Sequence, residues 1–182
     1  MSRRVPKLVV FDLDACLWSP EMFELHSAPT SFDEQAGGVR AGGEVVRFFP
    51  GALAVLRRLI TDPALASTKV AVASSTTEPA YANRCLDVLV VDEANTAGGL
   101  IEFRQIYPGN KGRSHFPALQ KATGLPYSEM IFWDDCTYGD NCRDVAASCP
   151  GVTCVRTPDG LTEALFEAGL DAFATGKTGV VR

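Results

Sequence analysis

The stretch Lys7-Leu8-Val9-Val10-Phe11-Asp12-Leu13-Asp14 decides the fold. Its short unbroken apolar run reads as a buried strand, and the run ends in two carboxylates one residue apart. In an extended chain alternate side chains share a face, so Asp12 and Asp14 can both approach one point beyond the strand's carboxyl end. Two close carboxylates repel unless something positive offsets them, and magnesium, a hard cation that takes oxygen ligands, suits that position. Taken alone, Asp-x-Asp is just as well a solvated acidic turn. Its meaning depends on what the rest of the chain delivers to the same place.

Working outward, the same pattern recurs. Lys69 to Ala73 is a second buried strand, ending in Ser74-Ser75-Thr76-Thr77, and Glu129 to Trp133 is another, ending in Asp134-Asp135. Between them lie helical patterns. Pro50-Gly51 opens one with Leu53, Leu56, Leu59 and Ile60 on one face, stopped by Asp62-Pro63. Glu78-Pro79 opens the next, with Ala82, Leu86 and Leu89 on one face. Ile101 to Ile106 reads as a short strand, Lys111 sits in a Gly-Asn-Lys-Gly loop, and a helix runs from near Ser114 to Gly124. A helix from about Asp140 to Ala147, a strand at Val152 to Val155 and an amphipathic helix with Leu161, Leu165, Ala168 and Ala172 complete the order.

This alternation predicts an α/β fold, a Rossmann-like three-layer sandwich with a central parallel sheet and right-handed crossovers. In such sheets the site lies outside the carboxyl ends of the strands, where the strand order switches. We expect a single domain over residues 1–182, with an insertion at about 15–49 and a loose tail at 175–182. The insertion lacks helical periodicity and is interrupted by Pro20, Pro29, Gly37, Gly38, Gly42 and Gly43. Within it, Gly37 to Phe48 predicts a β-hairpin flap, too small for a cap domain. A connection this long in a compact domain is usually functional, and Trp18, Phe23 and Phe32 are its candidates for choosing a substrate.

Composition narrows the class. A chain of 182 residues that is 46% hydrophobic buries one substantial core, and a net charge of −5 argues against a general nucleic-acid binder. The longest apolar runs are too short for a signal core or a membrane span, so a cytoplasmic protein is expected, with no membrane partner. The six cysteines read as reduced thiols. Zinc is a poor fit, because among Cys136, Cys142, Cys149 and Cys154 only the last two have knuckle-like spacing and no nearby histidine completes a set. His26 and His115 fit no catalytic triad and read as structural or surface residues.

Four polar clusters therefore fall at strand ends or in the loops that follow: Asp12 with Asp14, Ser74 with its hydroxyl neighbours, Lys111, and Asp134 with Asp135. Parallel strands bring such ends together. The set offers a carboxylate nucleophile, a carboxyl for proton transfer, a hydroxyl donor, a fixed cation and an acidic metal cradle, an inventory suited to phosphoryl transfer. Each piece has a bland alternative, since Ser74 can cap the next helix and Lys111 can be a solvated lysine. Their coincidence in one α/β chain argues otherwise.

These clusters, in this order, resemble the four motifs of the haloacid dehalogenase (HAD) superfamily in its phosphatase branch. Phe11 to Trp18, Ala73 to Glu78 and Lys111 through His115-Phe116 are similar more narrowly to the magnesium-dependent phosphatase-1 family. The resemblance covers about Val5 to Val155. It implies a capless HAD fold, or one with a small flap, and a magnesium-dependent phosphomonoester hydrolase. It further implies that Asp12 is the nucleophile and becomes an aspartyl-phosphate. Asp14 would be the proton donor and later the base, with a carboxyl pKa raised by burial or negative neighbours. The phosphate would meet Ser74, Ser75 and Lys111. Asp12, Asp14, Asp135 and Asp134 would form the metal site, Asp14 through its backbone carbonyl and Asp134 through bound water or Lys111.

The implied substrate is a phosphoprotein residue such as phosphotyrosine, as for a protein tyrosine phosphatase, or a small sugar phosphate. Two residues depart from the pattern. Cys16 stands where the superfamily usually has Thr or Val, and its thiol beside the nucleophile predicts oxidant sensitivity. Ser75 stands where the narrower family commonly has Arg, which removes a cation that would meet substrate. A receiver domain resembles the chain less well because its acidic pair precedes the phosphorylated aspartate, and an Asp-x-Asp glycosyltransferase would not be expected to carry its motif at the first strand of so small a domain. A catalytically silent phosphoryl-binding module and a phosphotransferase are the remaining readings.

Overall fold

A computed structural model describes residues 3–181. Strand β1 (Leu8–Phe11) is buried on both faces and ends at the first acidic pair. The insertion then forms four short strands, β2 (Trp18–Ser19), β3 (Phe32–Asp33), β4 (Gly38–Ala41) and β5 (Glu44–Phe48), paired antiparallel in the order β2-β5-β4-β3. The hairpin expected at Gly37 to Phe48 is the β4–β5 pair, turning on Gly42 at φ +63. The flap is thus more ordered than the irregular excursion its glycines and prolines suggest. Two-residue strands such as β2 and β3 are too short for alternation to register in sequence.

Helix α1 (Pro50–Thr61) carries proline in its first turn, buries Ala52, Val55, Leu56 and Leu59, and stops at Asp62, whose side chain accepts from the Ala64 amide. Strand β6 (Lys69–Ser74), helix α2 (Pro79–Val88), the single turn α3 (Ala97–Leu100) and strand β7 (Phe103–Ile106) follow. Helix α4 (Phe116–Thr123) ends at Gly124, whose φ of +70 lets the chain turn where a Cβ would be strained. Then come β8 (Met130–Asp134), α5 (Asn141–Ser148), β9 (Thr153–Arg156), α6 (Glu163–Ala174) and β10 (Gly179–Val180).

Six strands form one parallel sheet in the order β10-β9-β8-β1-β6-β7. The chain runs outward from β1 in both directions, so the order switches at β1, between β6 and β8. Alternation splits the core in two. Val9 and Phe11 pack with residues of α1, α2 and α6, whereas Leu8 and Val10 pack with residues of α4 and α5. On the first face Phe11, Trp133 and Phe166 stack at centroid distances of 5.2 and 5.1 Å. Gly169 lets α6 approach, since a Cβ there would lie 2.8 Å from the Trp133 ring.

Two expectations are corrected. The tail is not loose: the Gly179 and Val181 amides donate to Val152 and Cys154 carbonyls at 2.7 and 3.0 Å, making β10 an edge strand. Its terminal residue, Arg182, lies outside the described residues. Lys111 is also not in a loop, because helical backbone begins there. Pro117 has no N–H to give, and the Phe116 amide reaches back to the Lys111 carbonyl, so residues 111–115 widen into a π-turn. No helix among the described residues is long and apolar enough to cross a membrane.

Candidate active site

The register that pairs Val10 with Phe132 also brings the next carboxylates together. Asp12 and Asp134 keep the parity of Val10 and Phe132, whose side chains face α4 and α5, and the Asp12 amide donates to the Trp133 carbonyl at 2.9 Å. Lys111 enters from the turn ahead of α4, on that same face. Its Nζ stands 2.7 Å from Asp12 Oδ1 and 2.5 Å from Asp134 Oδ2, with only 2% of the lysine side chain exposed. Burial alone would strip its proton, but the two carboxylates more than compensate and hold its pKa above the ordinary lysine value.

Asp134 is fully engaged: Oδ2 takes Lys111, while Oδ1 accepts from the Cys136 amide at 2.8 Å and Asn141 Nδ2 at 3.1 Å. Asp135 is freer, with Oδ2 accepting from the Thr137 amide at 2.9 Å. One carboxylate oxygen from each of Asp12, Asp134 and Asp135 lies within 4.8 Å of the other two. Burial drives the Asp12 pKa well above the usual carboxylate range; Lys111 opposes this, and Asp134 and Asp135 add to it. Such a pocket is short of positive charge. Three all-oxygen donors with one fixed cation fit a hard divalent ion.

Asp14 does not join that group. Ala15 takes left-handed backbone at φ +57 directly after it, and the turn hands the carboxylate to the flap. Its Oδ1 accepts from Trp18 Nε1 at 2.7 Å and its Oδ2 from the Met22 amide at 3.1 Å. Burial raises its pKa, while these two bonds pull it down. Cys136, directly after the second acidic pair, repeats the left-handed turn at φ +59. Both acidic loops thus store the same backbone strain where they present their carboxylates.

Ser74 closes β6, is almost fully buried, and accepts from the Thr76 amide at 3.4 Å. Ser75 lines the same cleft, but its hydroxyl donates to the Gly109 carbonyl at 2.8 Å. The cleft has a volume of about 540 Å³, and Asp12, Asp14, Ser74, Ser75, Lys111 and Asp135 all line it. The strand order therefore assembles at one place the groups the sequence singled out.

Three features take their detail from the structure: the partners of His115, which of the flap aromatics reaches the cleft, and the surroundings of Cys16. His115 is wholly buried, its Nε2 lying 3.0 Å from the carbonyls of both Ser74 and Tyr107, so it pins the ends of β6 and β7 to the turn bearing Lys111. Burial lowers its pKa, which favours a neutral ring with the proton on Nε2. Tyr138, in the loop after β8, lines the cleft, and so does Phe23, whereas Trp18 is buried and Phe32 packs against the core. Cys16 is fully buried, with Sγ 3.6 Å from the Trp133 carbonyl and 3.4 Å from Thr157 Oγ1. Burial and the nearby Asp12 push that thiol's pKa well up, which argues against the expected oxidant sensitivity, since oxidation favours an accessible thiolate.

Residues 4–176 match the acid phosphatase family, nearly the whole length of the chain. This chain belongs to the acid phosphatase family. Human magnesium-dependent phosphatase 1 is 37% identical over 180 residues, covering 98% of this chain and 93% of that protein. The parallel sheet and its helices are shared with solved structures. CbbY from Rhodobacter sphaeroides in complex with phosphate has a TM-score of 0.58 at 14% identity, over 92% of this chain and 100% of that one. HAD family enzyme bt-2542 from Bacteroides thetaiotaomicron, complexed with magnesium and inorganic phosphate, scores 0.56 at 13% identity, over 83% and 93% of the chains. At such identities these likenesses speak for the fold alone. A HAD-like hydrolase superfamily protein from Schizosaccharomyces pombe is 32% identical over 136 residues, covering 71% of this chain and 76% of that protein, so the acid phosphatase chain belongs to the HAD-like superfamily as well.

Proposed function

We propose that the protein is a magnesium-dependent phosphomonoester hydrolase that works through an aspartyl-phosphate on Asp12. The observation that carries this reading is the buried Asp12–Lys111–Asp134 arrangement opening onto a cleft that Asp14 and Ser74 also line. Asp12, Asp135 and the Asp14 backbone carbonyl would hold the magnesium, with Asp134 orienting Lys111 and metal-bound water. Asp134's engagement with Lys111, Cys136 and Asn141 supports that orienting role. When bound, magnesium supplies the positive charge that the carboxylates and the phosphoryl oxygens need.

The steps follow from the residues. An Asp12 oxygen attacks phosphorus in line with the ester oxygen, the P–O ester bond breaks, and Asp14 gives its proton to the departing oxygen. Burial keeps that carboxyl protonated to higher pH than a free aspartate, as a donor near neutrality requires. Water then attacks the phosphoryl group, its proton passes to Asp14, and the bond to Asp12 breaks, releasing phosphate. Lys111 and Ser74 steady the phosphoryl oxygens, and Ser75, its hydroxyl turned to Gly109, shapes the wall beside them. The substrate class is a phosphoprotein residue such as phosphotyrosine or a small sugar phosphate. Six free cysteines accord with a cytoplasmic setting.

The test is hydrolysis of para-nitrophenyl phosphate. Activity is expected with magnesium, to vanish with chelator, and to fall at least about a thousandfold in Asp12→Asn. Trapping of radiolabelled phosphate on the wild type and not on Asp12→Asn would establish the intermediate. Metal-independent hydrolysis, or full activity in Asp12→Asn, would overturn the reading.

A further inference from the structure

Among the described residues three large apolar side chains are exposed, and two of them, Phe23 and Tyr138, stand at the mouth of the catalytic cleft. Phe23 is 55% and Tyr138 74% exposed. They come from separate parts of the chain, a 3-10 turn of the flap at Met22–Glu24 and the loop between β8 and α5. The two rings meet edge to face at a centroid distance of 6.1 Å and an interplanar angle of 78°. Aromatic surface left outside the core and gathered at a site rim marks a place where something binds. Glu21 joins them, its Oε1 accepting from the Tyr138 hydroxyl at 3.3 Å.

Charge on the rim is as uneven as the shape. Among the described residues that line the cleft Lys111 is the one cation, and it is buried between Asp12 and Asp134. The outer lining holds Glu21 and Asp144, the latter paired with the Asn110 side-chain amide at 3.3 Å, and is otherwise neutral. A phosphoryl group docked inside would have its cation. A second anion on the leaving group would meet two carboxylates and no countercharge.

We propose that Phe23, Tyr138 and Glu21 form the leaving-group subsite, and that it selects phosphomonoesters whose leaving group presents a flat or apolar face and bears no second anion. Discrimination by Glu21 is repulsive, the cheapest way to reject a wrong substrate, while the rings supply contact to the right one. Bisphosphates and phosphorylated sugar acids are then poor substrates. The proposal rests on the phosphatase reading given above.

The experiment compares 4-carbamoylphenyl phosphate with 4-carboxyphenyl phosphate, near-isosteres that differ in one negative charge, with methyl phosphate as a ring-free control. Wild type is expected to favour the amide by about tenfold in kcat/KM, and Glu21→Lys to abolish or reverse that preference. The Phe23→Ala/Tyr138→Ala double variant, which removes exposed side chains and spares the core, is expected to raise KM for both aryl esters about fivefold while leaving methyl phosphate unchanged. Equal kcat/KM for amide and carboxylate in the wild type would overturn the charge filter. Equal losses on aryl and methyl esters in the double variant would overturn the aromatic contact. Wild type that hydrolyses none of the esters with magnesium would instead sink the phosphatase reading itself, and the subsite with it.

Discussion

The two walls of the cleft are built by different physics. The inner wall is the carboxyl edge of a parallel sheet: its charged groups are almost wholly buried, paired with one another, and placed by backbone register. The outer wall is the flap and the loop after β8, where the side chains of Phe23 and Tyr138 are exposed, meet only edge to face, and are joined across the two segments by one long hydrogen bond from Tyr138 to Glu21. A buried ion pair fixes geometry because breaking it strands a charge away from water, whereas an exposed aromatic contact costs little to rearrange. On the readings proposed above, chemistry sits on the rigid wall and selection on the adaptable one.

Breaking the inner wall should have the largest effect. Lys111→Met keeps the volume and leaves Asp12 and Asp134 buried without their cation. Stability in chelator is expected to fall by about 3 kcal/mol or more, and kcat by about a hundredfold or more. Magnesium should then raise the melting temperature of the variant more than that of wild type, because it replaces part of the missing charge. Chemical denaturation in chelator, steady-state kinetics and thermal melts with and without magnesium check these three statements.

A smaller change probes a place where the walls touch, the Trp18 indole bonded to Asp14 beside the Met22 amide. That bond holds the Asp14 pKa down against the burial that raises it. In Trp18→Phe the pKa should climb further, so a proton donor stays protonated to higher pH. The alkaline limb of the kcat/KM profile is then expected to move upward, with kcat changed by less than about tenfold. An unmoved limb would reduce Trp18 to a packing residue. Smallest of all is Cys16→Ser. The thiol is buried and protonated, so peroxide inactivation should match wild type, with a stability cost below about 1.5 kcal/mol.

Much of the inner wall was legible because a buried parallel strand must be apolar along its length and can turn polar only where it leaves the sheet. Asp12, Ser74 and Asp134 each mark such an exit, and Lys111 falls just after another strand. The outer wall was hidden for the opposite reason. Strands of two residues carry no periodicity, and Tyr138, five residues beyond the β8 apolar run, is an ordinary loop tyrosine until the fold sets it beside Phe23. His115 could be read only as structural or surface, because its partners are backbone carbonyls, which no sequence pattern announces. The tail was misread because a strand of Gly179 and Val180 gains its bonds from β9 and not from its own composition.

The sequence by itself determined the alternation of strands and helices, the parallel sheet, and which polar residues stand at the strands' ends, since local burial and periodicity are written in adjacent residues. Tertiary structure alone decided that Asp12 and Asp134 share one lysine, that Asp14 turns away to the flap, and that Cys16 is sealed off. It also decided which aromatic rings guard the entrance. Those outcomes depend on strand order and on close packing between segments far apart in the chain, and pairwise distances of that kind arise only when the sheet closes around its switch point.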